Sequence, residues 1–131
     1  MGTEKLLASQ TIEVFANQPW QRTGLTLTKA EKIKIEYQSG RWFISPTVNN
    51  CDGNGAGPLG KPGYTMVGVR EGSLIGRVGE QVFYVGNNGE TPEGTEGELE
   101  LCPNDDLEGR YGAGLRDNSG SLTVKLTLWL R

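Results

Sequence analysis

Asn104, Asp105, Asp106, Glu108, Asp117, Asn118 and Ser119 all fall within the single stretch NDDLEGRYGAGLRDNSGS, residues 104–121. Carboxylates, amides and backbone carbonyls on a glycine-rich bend are what a hard cation such as Ca²⁺ takes, because it gathers about 6–8 oxygens from a flexible surround. The same residue types are also the commonest turn formers, since they tolerate positive φ or hydrogen-bond their own backbone. Composition therefore leaves a calcium loop and a plain long turn both open.

Other chemistries are easier to set aside. The chain has no His, which removes the usual general base, the usual zinc ligand and every Ser-His or Cys-His pairing. Asp105, Asp106 and Glu108 offer a carboxyl pair for glycoside hydrolysis, a reaction that wants its two groups about 5–10 Å apart. Adjacent residues of an extended segment point to opposite sides, which makes that spacing awkward, so no enzyme is expected. A net charge of −3 with no run of Lys or Arg lacks the basic footprint of a nucleic-acid binder or of a protein that docks on anionic membranes. No apolar run approaches the roughly 20 residues of a membrane span, and MGTEKLLASQ lacks the apolar core of a signal peptide. Cytoplasmic residence, release by a non-standard route and excision from a larger protein all stay open.

The elements that must position the acidic stretch are strands. At 131 residues, with 20 of them Gly, the chain is expected to form one domain, residues 1–131, with its core over about 11–129. The dominant period is two. Lys32–Tyr37 puts Ile33, Ile35 and Tyr37 on one face and Lys32, Lys34 and Glu36 on the other, as a half-buried antiparallel strand should. Thr11–Phe15 and Thr23–Thr28 alternate similarly. Ser121–Leu130 is the strongest strand, with Leu122, Val124, Leu126, Leu128 and Leu130 directed inward and Thr123, Lys125, Thr127 and Trp129 outward. Leu74–Val78 and Gln81–Val85 flank Gly79-Glu80 as a tight hairpin, and Glu98–Cys102 leads into the acidic stretch. Short strands separated by turn signals, with no sustained helical period, predict an all-β fold: a compact antiparallel β-sandwich of two sheets, jelly-roll-like.

Two connections are longer than structureless loops usually are in compact domains, Ser45–Gly63 and Asn104–Gly120. Placed at the same end of the sandwich, they would make a site. Asn87–Glu96 reads as a solvated connection. Asp52, Asn54 and Lys61 could hydrogen-bond a ligand, while each by itself reads as surface. Trp42 reads as core, and Trp129, on a polar face, as either the cover of an apolar patch or part of a subunit interface. Cys51 and Cys102 leave one disulfide or two buried thiols open, and a bridge would pin the two loops together.

The run Gly97-Glu98-Leu99-Glu100-Leu101 into Asn104-Asp105, followed by Asp117-Asn118-Ser119-Gly120-Ser121 and a last alternating strand, resembles the calcium-dependent galactose-binding lectins of the bacterial PA-IL family. Val14-Phe15-Ala16-Asn17, Gly24-Leu25-Thr26-Leu27, Gly40 with Pro46-Thr47, and Leu74-Ile75-Gly76-Arg77-Val78-Gly79 follow in that family's order and approximate spacing. The likeness covers roughly Thr11 to Leu128. It implies one Ca²⁺ held by the side chains of Asp105, Asp117 and Asn118 and by backbone carbonyls near Ile44 and Gly114, with Asp106 as the alternative metal Asp one register along.

In that family two sugar hydroxyls complete the metal's coordination, and the ligating side chains also bond the sugar. The implied sugar-contacting residues here are Asp105, Asp106, Asp117, Asn118, Pro58 and Lys61. The chain departs from the family in two places. Asp105 and Asp117 stand several residues further apart than the family spacing, and GPLGKP, residues 57–62, occupies the stretch where the family places a His and a Gln. The resemblance implies calcium-dependent binding of a carbohydrate, galactosides first, by a homo-oligomer. The alternative is a non-catalytic interaction module of a larger protein, with structural or no Ca²⁺ and another glycan or a protein as its target.

Overall fold

Alternating apolar residues give eight strands: β1 (Lys5–Phe15), β2 (Gln21–Leu27), β3 (Glu31–Phe43), β4 (Leu74–Val78), β5 (Gln81–Tyr84), β6 (Asn88–Glu90), β7 (Gly97–Pro103) and β8 (Ser119–Leu130). They belong to a computed structural model that describes residues 4–45, 48–109 and 114–131. One sheet has the order β1-β8-β3-β6 and the other β2-β7-β4-β5. All pairings are antiparallel. First strand pairs with last, second with second-to-last, and so inward to the β4–β5 hairpin, which is the winding of a jelly roll. Among the described residues no helix is long and apolar enough to cross a membrane.

The inner faces meet in one core. Val14, Leu27, Ile33, Ile35, Leu99, Leu101, Leu122, Val124 and Leu126 are all essentially inaccessible. Burying each such side chain stabilises the fold by about 1.5–3 kcal/mol, which rewards the period-two pattern and fixes which way every strand faces. Trp42 is also core, with its indole N–H donating to Gly72 O at 2.9 Å.

Four expectations need correction. Asn87–Glu96 is not wholly a solvated connection, because it contains β6, which pairs with Lys34–Glu36 of β3. Just beyond β6, Thr91 is buried and its hydroxyl accepts the Ile33 N–H at 3.0 Å. Lys32, expected on the polar face, is buried because Glu4 and Glu90 pair with its ammonium. Leu130 is 40% exposed, since the alternation of β8 runs on past the end of the core. Thr127 is buried on the outer face, beneath Trp129, whose ring N–H donates to its hydroxyl at 2.8 Å. The Lys34 ammonium lies 5.0 Å from the Trp129 ring centre, so Trp129 covers its own sheet. Cys51 and Cys102 are both buried and free.

Candidate functional site

The acidic stretch begins where β7 ends, and Asn104 fixes it. Asn104 is fully buried. Its Oδ1 accepts the Met66 N–H at 2.9 Å, and its Nδ2 donates to Met66 O and Val69 O, both at 3.0 Å. Its backbone N–H donates to Ser73 O and its carbonyl accepts the Gly72 N–H, both at 2.8 Å. One asparagine thus ties the exit of β7 to the second half of the β3–β4 connection.

Asp105 follows, 5% exposed, with Oδ1 accepting the Asp106 N–H at 2.7 Å and Oδ2 accepting Asn118 Nδ2 at 2.8 Å. Asn118, at the entrance to β8, is 6% exposed and also donates Nδ2 to Ala16 O at 2.8 Å. Both neighbours of that nitrogen are acceptors, so the orientation of the amide is determined. Its Oδ1 is buried with no hydrogen-bond partner. Burial pushes the Asp105 carboxyl up to about 6 against those two donors, and the negative charges of Glu71 and Asp117 add to the rise.

Asp106 is as buried as Asp105, whereas Asp117 is exposed. Gly114 has φ +64, and a Cβ there would lie 3.1 Å from Asp106 O, so the returning loop closes on Asp106 through a residue that needs no side chain. Glu108, expected to form a solvated surface pair with Arg110, is exposed, and Arg110 lies outside the described residues.

The facing side is built by a part of the chain that the sequence reading did not single out. Glu71, 6% exposed, accepts the Tyr64 hydroxyl on Oε2 at 2.5 Å and the Ser45 hydroxyl on Oε1 at 3.3 Å. Burial, then the bond to Glu71, then the charges of Glu71, Asp105 and Asp106 push the Tyr64 phenol well above its ordinary value. Ile44, next to Ser45, lies against Gly72: a Cβ on Gly72 would be 3.3 Å from Ile44 Cγ1. Asp105 and Asn118 are thus joined directly, Asp106 follows with Gly114 against its carbonyl, and the exposed Asp117 acts on Asp105 through its charge, while Ile44 packs on Gly72, whose N–H meets Asn104 O. Pro58 and Lys61 have exposed side chains and take part through their backbones, Pro58 O accepting the Glu71 N–H and Lys61 O the Tyr64 N–H, both at 2.9 Å. Asp52 and Asn54 belong to a neighbouring turn, where Asn54 Oδ1 accepts the Asn87 N–H at 2.9 Å.

The chain is similar to a lectin. Among solved structures, one described as "EclA N-terminal domain; PllA-like lectin" matches with a TM-score of 0.65 and 26% identity, over 92% of this chain and 95% of that one. No family model matches the chain, and no curated protein does.

Among the described residues no three His, Cys, Asp or Glu side chains are gathered in position to hold a metal ion. A set completed by amide and carbonyl oxygens does not need three, because Ca²⁺ accepts both kinds of oxygen. The donors fit that kind of site. Asp105 Oδ1 accepts the Asp106 N–H and Oδ2 the Asn118 amide, each oxygen keeping further lone-pair capacity, and Asn118 Oδ1 is a buried acceptor with nothing donated to it.

Glu71 and Tyr64 were missed because the Gly-Pro cluster at Gly60–Gly63 marks an end to the loop, while the structured connection runs on to Ser73. The available signal was Glu71 itself, a lone acid three residues before Leu74, the apolar start of β4, with no alternation to place it on a polar face.

Proposed function

We propose that the protein binds carbohydrate through a Ca²⁺ held by Asp105, Asn118 and Asp117, with backbone carbonyls near Ile44 and Gly114, and that galactosides are the first class to test. The observation that carries this reading is the Asn118 carboxamide, pinned by its nitrogen to Asp105 and Ala16 while its oxygen is buried without a donor. A buried acceptor left unsatisfied costs about 1–3 kcal/mol, and a cation relieves it. Similarity to a PllA-like lectin over nearly the whole chain supports the carbohydrate half.

Bound there, Ca²⁺ would supply a Lewis-acidic centre that a vicinal diol can ligate with two neutral oxygens. The chain's own residues do the rest. Asp105 and Asp117 accept hydroxyl protons in charge-assisted bonds, Asp106 lies beside them as a further acceptor, and Asn118 orients Asp105. Such a site makes and breaks no bond. A shallow, wet site gives modest affinity for one sugar, which a homo-oligomer would raise by avidity.

The test is a thermal melt in EDTA, in Ca²⁺, and in Ca²⁺ with galactose. A ligand that binds the native state preferentially raises the midpoint, so two successive rises are expected. A rise with Ca²⁺ alone moves the target to another glycan or to a protein, and no response to Ca²⁺ ends the metal reading.

A further inference from the structure

The corner between β1 and β2 carries a surface that the calcium reading does not use. Where β1 ends and β2 begins, a cleft of about 550 Å³ is lined by Phe15 and Trp20 together with Glu13, Gln18, Gln21 and Arg22. Phe15 is 39% exposed although both its neighbours, Val14 and Ala16, are fully buried, because the alternation that sends Val14 into the core turns Phe15 outward. One exposed aromatic needs no explanation, but this one shares its cleft with Trp20.

The cleft is braced from both sides. Gln21 Oε1 accepts the Phe15 N–H at 2.8 Å, and its Nε2 donates to Phe15 O at 2.8 Å and to Gln18 O at 3.2 Å. The whole carboxamide is thereby occupied in holding the backbone of the corner. On the other side the Arg77 guanidinium lies 4.6 Å from the Trp20 ring centre, and Arg77 is itself fixed by Glu100 Oε1, which accepts from Nε at 3.1 Å and Nη2 at 2.8 Å. A platform held in this way has little freedom left to lose on binding.

The polar groups around the rings suit a hydroxylated ligand. Glu13 accepts the Ser121 hydroxyl on Oε2 and keeps Oε1 as an acceptor. Arg22 donates Nε at 2.9 Å and Nη2 at 2.8 Å to Glu98 Oε1 and keeps Nη1 as a donor. Gln18 is exposed and offers one group of each kind. One carboxylate and one guanidinium leave the lining without net charge, so neither an anion nor a cation is favoured. A pyranose is apolar on its C–H faces and hydroxylated at its edges, which matches aromatic rings ringed by donors and acceptors.

We propose that Trp20 and Phe15 form a second carbohydrate-binding site, independent of Ca²⁺, for a neutral disaccharide or longer glycan that stacks on the two rings while Glu13, Gln18 and Arg22 bond its hydroxyls. This goes beyond the calcium reading and stands or falls apart from it.

NMR titration of the ¹⁵N-labelled chain in EDTA with lactose, cellobiose and maltose tests it, because EDTA silences a metal site. The chain has three Trp, so Trp20→Phe assigns the Trp20 indole signal. At least one disaccharide is expected to shift that signal and the amides of residues 13–22 with a Kd of about 1–10 mM, while the buried Trp42 indole stays in place. Trp20→Ala and Phe15→Ala should each weaken binding about tenfold or more. Neither side chain is fully buried, so both variants should fold, and their amide spectra away from the corner report whether they do. No response at Trp20 to any of the three sugars up to about 50 mM overturns the proposal, as does a response that needs Ca²⁺ or an affinity unchanged in both folded variants. A proline-rich peptide that moves these signals where the sugars do not would assign the cleft to protein and likewise overturn it.

Discussion

Asn118 donates its side-chain amide to Asp105 Oδ2 at 2.8 Å, joining residues thirteen apart in sequence at the point where the chain leaves β7 and enters β8. The same nitrogen reaches Ala16 O, so one carboxamide holds the acidic loop against the end of β1. Asn118→Ala removes both bonds and leaves Asp105 and Ala16 O short of a donor. The expected loss is about 2–4 kcal/mol of stability, from two bonds and two buried acceptors, together with the loss of any calcium response. Asn118→Asp keeps the shape but sets a second carboxylate against Asp105. Its midpoint in EDTA should fall below that of the unmodified chain, and Ca²⁺ should recover more of it than in the parent. Chemical denaturation with and without Ca²⁺ reads both effects.

Asp105 gives the site a pH dependence whose sign depends on the cation. In EDTA the folded carboxyl titrates at about 6, above its ordinary 3.8. Between those values the native state binds more protons than the unfolded chain, so this group's contribution is fully present below 3.8 and is lost as pH rises through about 6. Glu98 acts in the opposite sense, because its bond to Arg22 lowers its value, and its contribution is lost as pH falls. Comparison with Asp105→Asn isolates the first effect. In EDTA the stability of the unmodified chain minus that of Asp105→Asn should decline from pH 4 to pH 7 and then flatten, whereas in saturating Ca²⁺ it should rise over the same range. A difference that does not vary with pH in EDTA would contradict the burial of this carboxyl.

The fold was legible wherever one face of a strand is buried. Val14, Ile33, Ile35, Leu122, Val124 and Leu126 occupy the core that their alternation predicts, because a slip of one residue would expose all of them. The clustering of Asp105, Asp106 and Asn118 was legible because they fall in one short stretch of the right chemical type. The facing side was not. Tyr64 and Glu71 belong to the connection that Asn104 ties down through the backbone of residues 66–73, a long-range contact that no local pattern encodes. Lys32 was misplaced for a related reason, since the partners that bury it, Glu4 and Glu90, come from distant parts of the chain.

Gly72 is where that capture is most sensitive. Its N–H donates to Asn104 O at 2.8 Å, its carbonyl accepts the Trp42 indole at 2.9 Å, and its φ is +81. A Cβ there would lie 2.9 Å from Val48 Cγ1 and 3.2 Å from Cys51 Sγ. Gly72→Ala therefore incurs two costs, about 1–2 kcal/mol for a side chain at positive φ and about 1–3 kcal/mol for overpacking. The second can be relieved and the first cannot. Val48→Ala removes the methyl that the new Cβ meets, so the double variant Gly72→Ala/Val48→Ala should be more stable than the sum of the two single losses predicts, by about 1 kcal/mol or more. Denaturant titration of the four chains measures that coupling. Simple additivity would place the whole cost of Gly72→Ala in the backbone and remove close packing against Val48 as a reason for glycine at this position.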